Sequence, residues 1–397
     1  MSEGAQLSQA EESNSPVSDG EQVESRPAVR IKLFARTDVG QVREHNEDNF
    51  LVADLTRGIA GLQEDARDIT LGIAGELFAV CDGMGGAAAG EVASQMAVDT
   101  IYKQMSEGAS AARPTKRNEI ARRLVRSVEM AGQGIFQEAK ADRARRGMGT
   151  TATAAALVDD HLFLAQVGDS RAYLLRNGTL VQVTRDQSLV NQLIEAGQLT
   201  EEEAETFEHN NIILQALGTA DTVQVDLTYV HLMRGDVLML CSDGLSGMVR
   251  NDEIREVLKA LGDPMDACKA LTERANLAGG HDNITVIVAR FDGDGLRALN
   301  PDEPLAYRKY PLPQDEPTEP GRRVLSSPSA AMRNGGTRDS DEGDPSSTSA
   351  ERARRDADDG EEDRVEIPGT HVPTGVVVAL IVGVIALLGA TAFLLLR

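Results

Sequence analysis

Four apolar runs in this chain end at, or start from, an aspartate with a glycine, serine or asparagine beside it. Residues 77–81 lead into Asp82-Gly83-Met84-Gly85-Gly86, residues 162–167 into Gly168-Asp169-Ser170-Arg171, and residues 237–241 into Ser242-Asp243-Gly244-Leu245, while Asp282-Asn283 opens the run 284–288. A buried strand fixes the position of its end, and a small neighbour leaves room for a group to approach the carboxylate. Several such ends brought together would form a cage of hard oxygen ligands, which is what a pair of Mg2+ or Mn2+ ions requires.

The motifs differ in weight. The glycines after Asp82 permit unusual backbone angles and close approach to the main chain, so Asp82 could bridge two cations and the Gly83 carbonyl could bind one. The alternative is a plain glycine-rich turn. Ser-Asp-Gly and Asp-Asn are ordinary turn formers when taken alone, and Asp243 and Asp282 gain meaning only in combination. Asp169 could equally cap a turn between Val167 and Arg171. Upstream, residues 38–49 set Arg43 beside Glu44, Glu47 and Asp48. Arg43 could hold a phosphate with its bidentate fork, or form a surface salt bridge; Glu47 and Asp48 could support metal-bound waters. His45 and His281 flank acidic motifs and could shuttle protons, or serve only as polar loop residues. The six histidines form no pair at zinc-ligand spacing. Without a Cys-x5-Arg loop, a Walker-type loop or a Ser/His/Asp arrangement, no covalent nucleophile is indicated.

Positioning these residues requires strands that alternate with helices. Strands are expected over 50–53, 76–81, 150–158, 162–167, 171–176, 180–184, 223–231, 237–241 and 284–291, with Asn177-Gly178 as a hairpin turn. Ala93, Ala97, Ile101 and Met105 mark one helix face, and Ile120, Leu124, Val128, Ile135 and Phe136 a second. Further helices are expected over 188–196, 201–207, 252–261 and 266–277. Clustered hairpins with grouped helices imply an α+β fold, antiparallel sheets covered by helices.

The bulk properties narrow the function. A formal net charge of −23 repels nucleic acid, and 3% aromatics with no tryptophan leave no base-stacking surface. Three cysteines without repeated spacing suggest no disulfide framework. With no apolar signal-peptide core near the N-terminus, the expected compartment is reducing and cytoplasmic. Residues 1–28 read as a disordered segment, 29–292 as the folded domain, 293–374 as a disordered acidic linker, and 375–397 as a membrane anchor. The run 376–396 carries no charge and is long enough to cross a bilayer as one helix; the alternative is a buried core helix. The expected placement is the plasma membrane, single-pass, with the folded domain facing the cytoplasm.

Arg43…Asn46-Glu47-Asp48, Asp82-Gly83-Met84-Gly85-Gly86, Gly147-Met148-Gly149-Thr150-Thr151, Gly168-Asp169-Ser170-Arg171, Ser242-Asp243-Gly244-Leu245 and Asp282-Asn283-Ile284-Thr285 occur in this order. Over residues 31–291 the chain thereby resembles metal-dependent PP2C-type protein phosphatases (the PPM family), especially the bacterial branch. The resemblance implies an α-β-β-α sandwich of two antiparallel sheets flanked by helices. It implies two Mn2+ or Mg2+ ions held by Asp82, the Gly83 carbonyl, Asp243 and Asp282, with Asp48 acting through water. Asp169 would hold a third, weaker metal together with Asp243, and Arg43 would bind the substrate phosphate. Substrates would be phosphoserine and phosphothreonine proteins, including membrane-associated Ser/Thr kinases and their targets, and the catalytic domain would be monomeric. Met84 stands where animal members often carry His, and Gln187 where His is frequent; both departures bear on acid catalysis and substrate preference. A binding-only module would have lost ligands, and all are present. A nucleotide hydrolase would need a base pocket that so few aromatics do not supply. A phosphatase in an anti-sigma partner switch would be expected to carry a sensor domain.

Overall fold

The structure, a computed structural model, describes residues 28–61, 68–85, 89–109, 114–200, 203–204, 207, 211–300, 303 and 305–312. The chain divides into two compact units, residues 1–320 and 321–397, and every described residue belongs to the first. The expected membrane helix at 375–397, nearly all of the N-terminal segment 1–28, most of the helix expected over 201–207, and the linker beyond residue 312 lie outside the described residues. Among the described residues no helix is long and apolar enough to cross a membrane.

In chain order the elements are β1 (Arg30–Asp38), β2 (Asn49–Asp54), β3 (Ile59–Ala60), β4 (Asp68–Thr70), β5 (Glu76–Cys81), β6 (Gly83–Met84), α1 (Ala89–Ser106), α2 (Arg117–Ala141), β7 (Gly149–Thr150), β8 (Ala152–Val158), β9 (His161–Val167), β10 (Arg171–Arg176) and β11 (Thr179–Gln182). They continue as α3 (Leu189–Glu195), β12 (Asp226–His231), β13 (Val237–Cys241), α4 (Asp243–Ser246), α5 (Asn251–Ala260), α6 (Pro264–Leu277), β14 (Ile284–Asp292) and β15 (Arg308–Lys309). One sheet has the order β11-β10-β13-β14-β1-β4, the other β15-β12-β9-β8-β5-β2-β3, and β6 pairs with β7 alone. The pairings that flank the site, β1 with β14, β13 with β14, and β5 with β2 and β8, are antiparallel.

Three apolar layers explain why the strands read as continuous apolar runs and not as alternating ones. Phe78, Val80, Leu164, Leu174, Leu240 and Ile287 pack between the two sheets. The alternate residues of the second sheet, among them Leu77, Ala79, Cys81, Ala154 and Ala165, face α1 and α2. On the first sheet, Tyr173, Met239, Cys241, Val286 and Val288 face α4, α5 and α6. Strands buried on both faces need apolar residues at every position. The alanine-rich strand β8 lies under α2, while α1 with Ala93 and Ala97 packs over β5 and β2. The result is the α-β-β-α sandwich that the resemblance implies.

Local signals place the ends. Asn177 (φ 49) and Gly178 (φ 77) both take left-handed angles, which is the two-residue hairpin expected between β10 and β11. Asp263 caps α6 by accepting from the Met265 N–H at 2.8 Å, with Pro264 in the first turn.

Two sequence expectations are corrected. Residues 30–38 were not anticipated as a strand, yet β1 pairs along its whole length with β14 and buries Ile31, Leu33 and Ala35 between the sheets. The folded part also does not stop at residue 292. Strand β15 pairs with β12, and Tyr310 packs edge-on against Phe163 at 4.9 Å and Tyr229 at 5.3 Å. Burial of that aromatic cluster holds a segment whose prolines and charges read as linker.

The sheets are also tied by a charge. Arg176, last residue of β10, donates to both carboxylate oxygens of Asp236 at 2.9 and 2.7 Å and to the His231 carbonyl at 2.6 Å, and both side chains are buried. Removing one partner strands the other charge in the interior. Asp236→Ala should therefore lower unfolding free energy by about 3–5 kcal/mol in urea titrations. Breaking the exposed Arg30–Asp292 pair, 4.0 Å apart, should cost less than about 1 kcal/mol.

Candidate active site

Asp82 follows β5, and its main chain is held on both sides. Its N–H donates to the Thr151 hydroxyl at 2.9 Å; its carbonyl accepts from the Thr151 N–H at 2.9 Å and the Thr150 hydroxyl at 2.8 Å. The Thr151 hydroxyl also meets that of Ser170 at 2.8 Å, which joins the Asp82 strand end to the Asp169 loop. Gly83 then enters β6, and its N–H donates to the Glu47 carbonyl at 3.2 Å. Asp48 immediately precedes β2 and is buried. Its Oδ2 accepts from Ser242 at 2.7 Å, and Ser242 in turn accepts from the Thr285 N–H at 3.0 Å. One hydroxyl thus fixes Asp48, Asp243 and the start of β14 together.

Asn283 holds the loop that carries Arg43. Its side-chain oxygen accepts from the Glu47 N–H at 2.8 Å, and its amide nitrogen donates to the Val39 and His45 carbonyls at 3.0 and 2.9 Å. Arg43 reaches Asp282 at 2.7 Å, with half of its side chain exposed. All seven expected site residues (Arg43, Asp48, Asp82, Gly83, Asp169, Asp243 and Asp282) therefore come from strand ends and loops at one end of the sandwich. His45 and His281 are exposed. Gln187 brackets Gly168: its N–H donates to the Gly168 carbonyl at 2.8 Å, and its side-chain oxygen accepts from the Gly168 N–H at 3.0 Å. Met84 pairs with Gly149 beside the site, and Gly86 lies outside the described residues.

The small neighbours also let main chain pack closely on main chain. A Cβ on Gly83 would overlap the carbonyl oxygens of Gly90 and Glu47, one on Gly244 the Asn283 carbonyl, and one on Gly40 the Asp282 carbonyl. The glycines admit the neighbouring main chain at van der Waals distance. This close main-chain contact brings the carboxylates together.

The electrostatics are strained. Burial pushes the Asp82 carboxyl well up, and Asp48, Asp243, Asp169 and Asp282 add repulsion. Burial raises Asp243 as well, with Asp282 the next cause. Asp48 is pushed up to about 7 by burial, against the hydrogen bonds of Ser242 and Thr285 and with the repulsion of Asp243 and Asp282. Asp169 is pushed up to about 7 by burial and then by Asp243 and Asp186, with Arg171 opposing. One oxygen each of Asp48 and Asp169 is buried without a hydrogen-bond partner. A buried acceptor left bare beside further carboxylates calls for a cation. The donor set, all oxygen, suits Mg2+ or Mn2+ rather than softer ions.

No cysteine competes for the chemistry. Cys81, Cys241 and Cys268 are buried and free, and burial pushes the Cys241 and Cys268 thiols up to about 12. Asn283, Ser242 and Thr151 were missed as supports. The sequence signal was present, a polar residue adjoining each motif, but such residues are generic turn formers until the partner loop is known.

The comparisons agree with this geometry. A protein phosphatase 2C family model matches residues 61–278, more than half of the chain. The serine/threonine phosphatase stp of Listeria monocytogenes is 37% identical over 257 residues, covering 65% of this chain and 94% of that protein. The solved serine/threonine phosphatase PstP/Ppp of Mycobacterium tuberculosis aligns with a TM-score of 0.56 at 33% identity, over 66% of this chain and 99% of that one. A structure of the PstP catalytic domain in complex with two manganese ions aligns with a TM-score of 0.55, also at 33% identity over 66% and 99%. With these motifs on this fold, the chain belongs to the protein phosphatase 2C family.

Proposed function

We propose that this protein serine/threonine phosphatase hydrolyses phosphoserine and phosphothreonine on proteins by direct attack of water, using two Mn2+ or Mg2+ ions. The observation that carries this reading is the set of carboxylates at one sandwich end, two with bare buried oxygens. Asp82, the Gly83 carbonyl, Asp243 and Asp282 would hold the pair; Asp48 would position ion-bound water, and Asp169 with Asp243 would hold a third, weaker ion. Bound there, the ions supply an acidified water and neutralise charge on the phosphoryl oxygens.

The chain's own residues do the rest. Arg43 sits on the exposed side of the cluster, where its guanidinium meets Asp282. With an ion held there, the guanidinium fork of Arg43 would be placed to orient a phosphate. The Ser242 hydroxyl is engaged by Asp48 and the Thr285 N–H, which leaves it to brace rather than attack. Met84 cannot protonate a leaving alkoxide, so an ion-bound water would have to supply that proton.

We further propose that the apolar run 376–396 anchors the enzyme in the plasma membrane, with its catalytic domain facing the cytoplasm. Membrane-associated Ser/Thr kinases and their targets would then be the substrates within reach. Cell fractionation should recover the full chain in membranes and a chain lacking the last 22 residues in the soluble fraction. Soluble full-length protein would exclude the anchor.

Hydrolysis of a phosphothreonine peptide by the full chain in detergent should need Mn2+ or Mg2+ and stop with chelator. Asp82→Asn should lower kcat by at least about a hundredfold. Activity that survives either change would sink the two-ion mechanism. Arg43→Ala should raise KM about tenfold to a hundredfold, the worth of a charged hydrogen bond.

The pH dependence follows from the raised carboxyls. Near pH 7 the ion-free native chain keeps protons on Asp48 and Asp169 that an unfolded chain has released. Native stability of the ion-free form should then fall as pH rises from about 4 to 7. Metal binding expels those protons, so the rise in Tm on adding Mn2+ should be larger at pH 8 than at pH 5.5. An equal rise at both would contradict it.

A further inference from the structure

At the opposite end of β9 from Asp169, two histidines and an aspartate face one another across the β9–β12 pair. β9 opens with His161, whose cross-strand partner is His231, the last residue of β12. Asp160 sits in the two-residue turn between β8 and β9. The His161 Nδ1 meets one Asp160 oxygen at 2.6 Å, and the His231 Nδ1 meets the other at 3.4 Å. The rings cross edge-on at 4.0 Å, and one ligand atom from each residue lies within 4.8 Å of the others. Among the described residues this is the one group of His, Cys or acidic side chains so closely gathered.

We propose that Asp160, His161 and His231 form a site for a divalent transition-metal ion of the zinc class, separate from the carboxylate centre. Two imidazoles with one carboxylate select zinc-like ions over magnesium or calcium. Tetrahedral zinc sets neighbouring ligand atoms about 3.3 Å apart, so the Asp160–His161 contact must open slightly, while the 3.4 Å between Asp160 and His231 is already near that value. The freedom for this exists. His161 is buried and stacked against Phe163 and Tyr229, which fixes its plane, whereas the His231 side chain is 42% exposed and can turn. That exposure also leaves a fourth position to water.

The surroundings brace the carboxylate and limit the charge. The Asp160 carbonyl accepts from the Leu232 N–H at 2.8 Å. Arg117 lies 3.3 Å from one Asp160 oxygen and 3.7 Å from Asp159, so a dication would add to a site whose net charge is about −1 with neutral imidazoles. Six strand residues, 162–167, separate the group from the Asp169 loop, about 20 Å, too far for either site to lend the other a ligand. The ion would clip the β8–β9 turn to the end of β12, the strand on which β15 docks.

The test uses the full-length chain in detergent with excess Mg2+ to occupy all-oxygen sites. Zn2+ is titrated against a chromogenic chelator, and Cu2+ binding is followed by EPR. One Zn2+ equivalent and nitrogen hyperfine structure from two imidazoles are expected. His231→Ala and His231→Gln should each weaken Zn2+ binding at least about tenfold, remove one nitrogen coupling, and abolish the rise in Tm that Zn2+ gives the parent chain. Both variants should keep Mg2+-dependent phosphatase activity, which shows that they fold. Failure of the parent chain to take up Zn2+, or equal uptake by parent and variants, would overturn the site without bearing on the phosphatase mechanism.

Discussion

Mutual repulsion of carboxylates is the constraint around which this fold is organised. Asp48, Asp82, Asp169, Asp243 and Asp282 would separate if their supports were soft. Each is instead fixed by the main chain of a strand end or by a hydroxyl or amide from a neighbouring loop. The cost is met by the three apolar layers, whose strands are buried on both faces and cannot slip without exposing an entire row. Cooperative burial in the sandwich thus holds in place a site that, without cations, opposes its own assembly.

The division of labour follows the layers. The seven-stranded sheet with α1 and α2 delivers Asp48, Asp82 and Asp169. The six-stranded sheet with α4, α5 and α6 delivers Asp243 and Asp282. Ser242 and Asn283 cross between the two contributions. The centre is therefore formed by the packing of one sheet on the other.

Much of this could be read from the sequence, for identifiable reasons. Strands β5, β10 and β13 were placed to the residue because burial on both faces makes them unbroken apolar runs. Strand β1 carries charged residues at Lys32 and Arg36 and borders a polar segment, which hid a pairing that only β14 reveals. Strand β15 is two exposed residues held by Tyr310, a long-range contact with no local signature. In the site, an aspartate after an apolar run was legible locally. Asp48 stands out through the carboxylate-rich turn beside Arg43 and not through an apolar run, whereas the bracing role of Asn283 is hidden because an asparagine in a turn has many uses. The Asp160–His161–His231 group was invisible, since its histidines lie far apart in sequence and meet only through strand register.

The glycine contacts carry a consequence for how such a site can change. Where Gly40, Gly83 and Gly244 meet carbonyl oxygens, both surfaces are main chain. No second substitution can make room for a side chain there, because a carbonyl cannot be mutated away. The spacing of the centre is set by the thickness of a peptide unit and is common to any sequence that keeps this backbone. Side chains beside the centre, such as that of Met84, are outside this constraint and can change while the spacing stays.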